Sequence, residues 1–257
     1  MSLPNTAPAT PRALDLQIRT RLAGQPDWLA EMLVGGEDPR NGHLCADLMA
    51  PGGLDAVLRL FGENHEGAAR PAVSSLWSQH YFALLCLPLI AAALPHDEPV
   101  AGAPEQIEMI CDEIGRPVAL RLCAGSPQAT SWDETPLDPL LQGHLLPMVA
   151  AIARAGGISA RVLWGNAAHY IEWLIGALKE QGRLSETGQR GAELFLHRLS
   201  LPDGQPNPLR DAIHYQGLPP APECRSRKTC CLRYLLPNVP TCGTLCPRPE
   251  IRARALG

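Results

Sequence analysis

The sequence predicts an α+β fold in which a predominantly helical domain carries a small β-sheet and an irregular C-terminal segment. Three observations predict it. Apolar residues recur at helical spacing through most of the first 200 residues. Residues 117–123 (PVALRLC) alternate apolar and polar side chains as a strand does. After Ser200, prolines arrive every few residues until a cluster of cysteines begins, so little regular structure is expected there.

Length and composition indicate one globular body. A chain of 257 residues can bury about three-quarters of its unfolded surface. Its hydrophobic fraction of 46% and charged fraction of 19% are typical of globular proteins and exclude global disorder. We expect residues 1–12 to form a disordered tail, 13–222 the helical domain, and 223–257 a basic, cysteine-rich segment.

The first quarter of the chain predicts short helices. Apolar residues keep helical spacing over residues 13–33, with an interruption near Gly24 and Pro26. Two further short helices are expected over 44–49 and 54–60, on either side of a Pro-Gly-Gly turn.

The most apolar part of the chain predicts a buried core helix over Val73–Leu94. Its longest apolar stretch, Ala83–Leu94, is about twelve residues and is interrupted by Pro88, whereas a membrane span needs about 20. We therefore expect no transmembrane segment, and a helix bent or broken at Pro88. A peripheral contact with a membrane stays open.

The second half of the chain predicts one clear strand, several helices and a short second strand. The pattern of residues 106–112 does not distinguish a helix from a strand. Asn166 stands where a helix cap would, before the helix that begins at Ala167. The predicted elements are a strand over 117–123, a helix over 136–155, a strand over 161–164, and helices over 167–179 and 185–198.

The charge of the chain is distributed unevenly. The net charge of −4 does not indicate a nucleic-acid partner, and we predict none. Residues 1–223 carry a formal charge of −10, whereas residues 224–257 carry +6. The basic residues of this C-terminal segment are Arg225, Arg227, Lys228, Arg233, Arg248, Arg252 and Arg254. A basic segment on an acidic body calls for a functional reason.

The nine cysteines fall into two groups. Four are scattered and are expected to be small core hydrophobes: Cys45, Cys86, Cys111 and Cys123. Five lie within 23 residues of one another: Cys224, Cys230, Cys231, Cys242 and Cys246. The first eleven residues do not read as a secretory signal, so we expect a cytoplasmic protein. In a reducing cytoplasm, clustered cysteines indicate metal ligands or redox groups more than disulfides.

Two kinds of metal site fit the clustered thiols. Four thiolates can hold an iron–sulfur cluster or a structural zinc ion. A disulfide between Cys230 and Cys231 is disfavoured because adjacent Cα atoms are only ~3.8 Å apart. The Cys242–Cys246 spacing also suits zinc, but the adjacent pair suits two irons better than one tetrahedral ion. The basic flank of Arg225, Arg227, Lys228 and Arg233 would stabilise a negatively charged cluster.

Several motifs, in order, resemble the FhuF family of ferric-siderophore reductases. They are SLWSQHY around Trp77, VLWGN around Trp164 with Tyr170 and Trp173 after it, Asn207-Pro208-Leu209, and the cysteine segment. The resemblance covers most of residues 70–250. It implies a [2Fe–2S] cluster whose iron ligands are Cys230, Cys231, Cys242 and Cys246. Three residues, not the family's two, separate the last two cysteines, which leaves Cys224 as an alternative ligand.

The resemblance implies an oxidoreductase that passes one electron from the cluster to siderophore-bound Fe(III) and releases Fe(II). Such a reaction needs no catalytic acid or base, and we assign no catalytic residue. Because the chain has no dinucleotide or phosphate-binding motif, electrons must come from an external donor protein or reductant. His80 and His169 are candidates for contact with the substrate. Trp77, Trp164 and Trp173 lie at the spacing of core residues. The alternative is that they line a siderophore-binding pocket.

A second hypothesis belongs to another class of protein. A zinc ion bound by the same thiols would only fold the C-terminal segment. The helical body would then bind a siderophore or a protein without redox activity.

Overall fold

The structure is a computed structural model that describes residues 13–100, 102–123, 134–216 and 224–256. The predicted disordered tail, residues 1–12, lies outside these ranges. The helices are Ala13–Arg21 (α1), Asp27–Glu31 (α2), Cys45–Met49 (α3), Asp55–Glu63 (α4), Arg70–Ala93 (α5), Asp138–Leu140 (α6), Leu146–Gly156 (α7), Ala160–Glu180 (α8), Glu186–His197 (α9) and Pro249–Leu256 (α10). The strands are Leu33–Val34 (β1), Gly42–Leu44 (β2), Ile107–Cys111 (β3), Pro117–Leu122 (β4), Ile213–Gln216 (β5) and Cys224–Arg227 (β6). The predicted α+β class is confirmed.

Helix α5 forms the centre of the core. Nearly every side chain from Ala72 to Ala93 is buried, as expected of a helix that is apolar all round. Pro71 lies in the first turn, where its missing N–H has no helical partner to lose. The helix continues through Pro88, so of the predicted bend or break at this residue, the break is wrong. Packing on all sides holds the helix together at the residue where an exposed helix would end.

Length and composition would allow the helix from Arg70 to His96 to cross a membrane. However, 89% of its most apolar window is buried inside the protein. The neighbouring helices and the sheet therefore occupy the surface that lipid would otherwise cover.

The four-stranded sheet has the order β1–β4–β3–β2. Strand β4 pairs antiparallel with β3 and parallel with β1. The strand predicted over 117–123 is confirmed, and the ambiguous residues 106–112 contain β3. Met109 and Leu120 face each other across this pair and are fully buried, which places one face of the sheet on the helical core.

One predicted strand is wrong. Residues 161–164 lie inside α8, which begins at Ala160 and packs along α5. Ser159 caps this helix, since its side chain accepts a hydrogen bond from the N–H of Arg161. Asn166, expected to be the cap, is fully buried in the middle of the helix. The reason is that seven more residues join the helix when tertiary packing, chiefly along α5, buries Val162, Leu163 and Trp164.

The helix predicted over 136–155 forms in three joined parts: α6, a π-helical turn over Leu141–Leu145, and α7. The predicted helix over 185–198 is confirmed as α9, with Ser185 as its cap.

A two-stranded sheet connects the helical body to the C-terminal segment. β5 and β6 are antiparallel, with Ile213 opposite Arg227 and Gln216 opposite Cys224. After β6, the chain makes two short 3-10 turns, Arg233–Leu235 and Gly243–Leu245, before α10. This segment lies against α5 and α8.

Candidate metal centre

The four candidate ligands lie on two bends of the chain. Cys230 and Cys231 follow β6, and Leu232 then turns the chain sharply with a left-handed backbone (φ 60°). Cys242 and Cys246 flank the 3-10 turn over Gly243–Leu245. Within that turn, the N–H of Leu245 donates to the carbonyl of Cys242 at 3.2 Å. A 3-10 turn has three residues per turn, so it absorbs the extra residue between the two cysteines.

The thiols of the two bends meet. The side chains of Cys231 and Cys242 are hydrogen-bonded to each other. That bond, together with the charges of Arg227 and Arg233, lowers the pKa of Cys231 to about 6. Donation to Cys231 and burial raise the pKa of Cys242. Burial also raises the pKa of Cys230, which in addition feels the charges of Cys231 and Cys246. Among the four clustered cysteines, Cys231 is therefore the one whose thiolate form is favoured.

Burial differs between the four cysteines. Cys231 and Cys246 are 1% exposed, whereas Cys230 and Cys242 are partly exposed. Across the described ranges, no three His, Cys, Asp or Glu side chains are arranged to hold a metal ion as they stand. The four cysteines therefore lie within electrostatic reach of one another, without the spacing of a closed metal shell. The group has a buried side and a side near solvent.

Two side chains fix the backbone behind the buried cysteines. Ser75 Oγ donates to the carbonyl of Cys231 at 2.6 Å. Arg252 donates from Nε and Nη2 to the carbonyl of Cys246, at 3.1 and 2.9 Å. A residue of α5 therefore fixes the bend at Cys231, and a residue of α10 fixes the bend at Cys246.

Arg227 is the buried cation beside the thiols. It is 2% exposed, and its Nη1 donates to Asn166 Oδ1. Asn166 in turn donates to Ser75 Oγ and Ser78 Oγ, each at 3.0 Å. In the part of the chain that the structure describes, Arg227 has no carboxylate within 4 Å, and its Nε has no hydrogen-bond partner.

A buried guanidinium without an anion is costly, so the site calls for a negative group next to Arg227. Its charge helps to lower the pKa of Cys231, and it partly opposes the rise in the pKa of Cys242. A cluster held by four thiolates carries net negative charge and fits this position. The residues present therefore suit an anionic, thiolate-bound metal group.

The other basic residues of the segment divide by their partners. Arg233 acts on the thiol of Cys231, as predicted for the basic flank. Arg225 instead forms an ion pair with Glu172 at 2.8 Å and binds the carbonyl of His169. Lys228 is exposed. The basic residues that are neighbours in the sequence therefore have different partners in the structure.

The two candidate histidines are both packed against protein. His169 Nδ1 lies 2.8 Å from Arg225 Nη1, and burial with nearby Arg227 and Arg225 lowers its pKa to about 3. Burial, with the charges of Arg116 and Arg233, lowers the pKa of His80 to about 4. Both are neutral at pH 7, and His169 accepts the hydrogen bond from Arg225.

The three tryptophans take three different environments. Trp77 is fully buried and stacks on Tyr81, with ring centroids 5.5 Å apart, so it is a core residue. Trp173 is largely exposed and lies near Trp28, at a centroid distance of 6.2 Å. Trp164 is 8% exposed and lines a surface cleft.

The scattered cysteines follow the prediction in part. Cys45 and Cys86 are fully buried in the hydrophobic core, and burial raises the pKa of Cys45 to about 12. Cys111 and Cys123 are only partly buried. For Cys224 the structure describes the backbone, at the start of β6.

The sequence interpretation missed the polar network of Ser75, Ser78, Asn166 and Arg227. A signal was present. Ser74, Ser75, Ser78 and Gln79 interrupt a helix that is otherwise apolar on every side, and residues three or four apart share a face. Polar side chains buried in a core helix require partners, which here come from α8 and β6.

Comparison with known proteins agrees with this architecture. A family model described as ferric iron reductase FhuF-like transporter matches residues 75–218. The chain belongs to this FhuF-like family. The matched region contains Ser75, Ser78 and Asn166 of the buried network. A second family model, the FhuF 2Fe-2S C-terminal domain, matches residues 227–248, from Arg227 through the four clustered cysteines.

One relative matches almost the whole chain. The ferric siderophore reductase of Escherichia coli (strain K12) is 27% identical over 241 residues, which cover 88% of this chain and 87% of the relative. As a FhuF-like protein, the chain is a ferric iron reductase with a [2Fe–2S] C-terminal domain. The predicted cofactor and enzyme class are confirmed, and iron–sulfur is favoured over the zinc alternative.

Proposed function

We propose that the protein is a cytoplasmic ferric-siderophore reductase whose [2Fe–2S] cluster is bound by Cys230, Cys231, Cys242 and Cys246. Residues 13–222 form the helical body, and residues 223–257 form the cluster-binding segment. The observation that carries the ligand assignment is the position of Cys231 and Cys242, from the two bends of the segment, beside Arg227, a buried cation without a carboxylate partner among the described residues. The name of the Escherichia coli relative supports the choice of siderophore iron as substrate.

The proposed reaction consists of electron transfer followed by release of iron. When bound, a [2Fe–2S] cluster supplies one electron at a time. Siderophores hold Fe(III) through hard oxygen donors, which bind the softer Fe(II) far less well. The one-electron reduction of the substrate therefore releases its iron, with no proton transfer from a protein acid or base.

The surrounding residues position the ligands and set the charge. Ser75 and Arg252 fix the carbonyls of Cys231 and Cys246, and thereby the direction of the two buried thiols. Arg227 and Arg233 stabilise negative charge on Cys231. Cys230 and Cys242 lie on the more exposed side, where a chelate and an external electron donor can approach.

Spectroscopy of variants tests the ligand assignment. We expect anaerobically purified protein to contain two irons and two sulfides per chain, and dithionite to bleach it and produce an S = 1/2 EPR signal. Cys231→Ser and Cys242→Ser should lose or strongly alter that signal. Cys111→Ala, which changes a partly buried cysteine outside the segment, is the matched control and should retain it.

Cys224→Ser tests the alternative ligand. Under the proposed assignment this variant keeps a normal spectrum and iron content. Loss of the cluster in Cys224→Ser, with Cys246→Ser unaffected, would show that Cys224 replaces Cys246 as a ligand.

Cell fractionation with an epitope-tagged chain tests the cytoplasmic location, and recovery in the membrane or periplasmic fraction would contradict it.

A further inference from the structure

A surface cleft lies beside the cluster-binding segment. It has a volume of about 380 Å³ and is formed by the beginning of α8, the loop before β5 and the two residues before the first candidate ligand. Its lining includes Arg161, Trp164, Asn207, Arg210, Lys228 and Thr229. Neither candidate histidine is among its lining residues.

The loop and the segment are joined at the cleft. The N–H of Lys228 donates to the carbonyl of Ala212 at 2.9 Å. The Asn207 side chain shapes the loop, because it donates to the carbonyl of Phe195 and accepts from the N–H of Leu209. The cleft is thus a built feature of the fold, with a shape set by hydrogen bonds on two sides.

The cleft is positively charged. Arg161, Arg210 and Lys228 are exposed there, against the single carboxylate of Asp211. Asp211 lies 3.9 Å from Arg210, a loose pair that neutralises one charge. Over the described ranges, Arg161 and Lys228 have no carboxylate within 4 Å. The cleft therefore has a net charge of about +2, whereas residues 1–223 together carry a formal charge of −10.

The cleft is also next to the candidate ligands. Thr229 lines it and is bonded directly to Cys230, whose Cα lies ~3.8 Å further along the chain. Helix α8 comes close to this part of the segment, because a Cβ atom at Gly165 would lie 3.9 Å from the carbonyl oxygen of Thr229. Electron transfer slows steeply with distance, so a molecule held in this cleft is well placed for reduction.

We propose that this cleft binds the ferric chelate and selects chelates that carry net negative charge. The proposal rests on the proposed reductase function and adds the place and charge class of its substrate. Arg161 and Lys228 attract the anionic donor groups, while the indole of Trp164 provides an apolar wall. Small-molecule pockets span about 300–1,000 Å³, so a cleft of this size holds one arm of a chelate and leaves the rest in solvent.

Binding of redox-inert gallium(III) chelates tests the proposal apart from electron transfer. Calorimetry would compare an anionic hexadentate tris-catecholate complex with a neutral hexadentate tris-hydroxamate complex, using the cluster-containing protein. We expect Arg161→Glu and Lys228→Glu each to weaken binding of the anionic complex about tenfold. The neutral complex should change less than about twofold. The visible spectrum of each variant checks that the cluster is retained.

Arg183→Glu is the matched control, because it reverses an exposed charge outside the cleft. It should leave both affinities unchanged. Equal binding of the anionic complex to wild type, Arg161→Glu and Lys228→Glu would overturn the cleft assignment, as would an equal loss in Arg183→Glu.

A parallel assay separates the two proposals. If dithionite-reduced wild type reduces the ferric chelates while the cleft variants bind their gallium analogues normally, the reductase function stands and the cleft assignment fails. If reduced wild type converts neither ferric chelate, the proposed function itself fails.

Discussion

Arg227 connects the polar network of the core to the thiols of the C-terminal segment. Its guanidinium binds Asn166 on one side and acts on Cys231 and Cys242 on the other. Net charge near an iron–sulfur cluster sets its reduction potential, and a buried cation stabilises the reduced, more negative form. This residue is therefore expected to raise the potential of the cluster.

Replacing Arg227 by Met should lower the midpoint potential by about 60 mV or more, which corresponds to a tenfold shift in the one-electron equilibrium. Arg227→Lys should retain part of the effect, because it keeps the charge. A redox titration followed by EPR measures both. Arg225→Gln is the control from the same strand, since Glu172 already neutralises that charge. A similar shift in Arg225→Gln would contradict the special role of Arg227.

Asn166 is expected to contribute strongly to stability. It is fully buried, donates to two serine hydroxyls and accepts from Arg227. Asn166→Ala leaves these groups without a partner and should reduce the free energy of unfolding by about 2–4 kcal/mol. Urea denaturation measures the change. Asn64→Ala, on an exposed helix end, should cost less than about 1 kcal/mol.

At the scale of elements, the beginning of α8 determines how the body meets the segment. Because the helix begins at Ala160, Trp164 and Gly165 face the residues before Cys230, and Asn166 reaches Arg227. A helix beginning after Asn166 would lose this arrangement.

Ser159→Ala tests that beginning. Loss of the capping hydrogen bond should reduce the free energy of unfolding by about 1 kcal/mol. Thr187→Ala, at an exposed position inside α9, is the control and should change stability by less than about 0.5 kcal/mol. An unchanged free energy of unfolding in Ser159→Ala would place the functional cap elsewhere.

The turn between Cys242 and Cys246 depends on Gly243, whose φ of 58° is left-handed. Gly243→Ala should destabilise the turn by about 1 kcal/mol and speed the loss of iron to a chelator. Gly204→Ala changes a left-handed glycine of a distant loop (φ 82°) and is the matched control. Equal rates of iron loss in the two variants would show that the turn does not limit cluster retention.

At the scale of the whole molecule, a buried histidine links stability to pH. His144 is fully buried on the π-helical turn between α6 and α7, where its Nε2 lies 2.5 Å from Tyr81 Oη and its Nδ1 lies 2.7 Å from the carbonyl of Gly102. Burial lowers its pKa from 6.5 to about 4. Below pH 6.5 the unfolded chain therefore binds a proton that the folded protein does not.

The resulting stability is complete above pH 6.5 and falls as the pH decreases towards about 4. At pH 5 the loss from His144 should be about 2 kcal/mol. His144→Gln should show a smaller decrease in the free energy of unfolding between pH 7.5 and 5 than wild type. His197→Gln, at an exposed position, should retain the wild-type pH dependence. Equal slopes in wild type and His144→Gln would contradict the assignment.

The sequence by itself determined the parts of this protein that depend on local patterns. The α+β class, the core helix, strand β4 and α9 followed from apolar periodicity, and the cysteine segment indicated a metal group by composition and spacing. These signals are local, because side-chain period and ligand chemistry are fixed along the chain.

Only the tertiary structure decided where α8 begins and what Asn166 does. A buried surface on α5 outweighs the weak local preference of residues 161–164 for a strand. The same holds for the basic flank, whose four cations look equivalent in the sequence. In the folded protein, Arg225 pairs with Glu172, and Lys228 lines a cleft. Arg227 is buried without a carboxylate partner among the described residues. Partners far apart in sequence set those roles, and no local pattern records them.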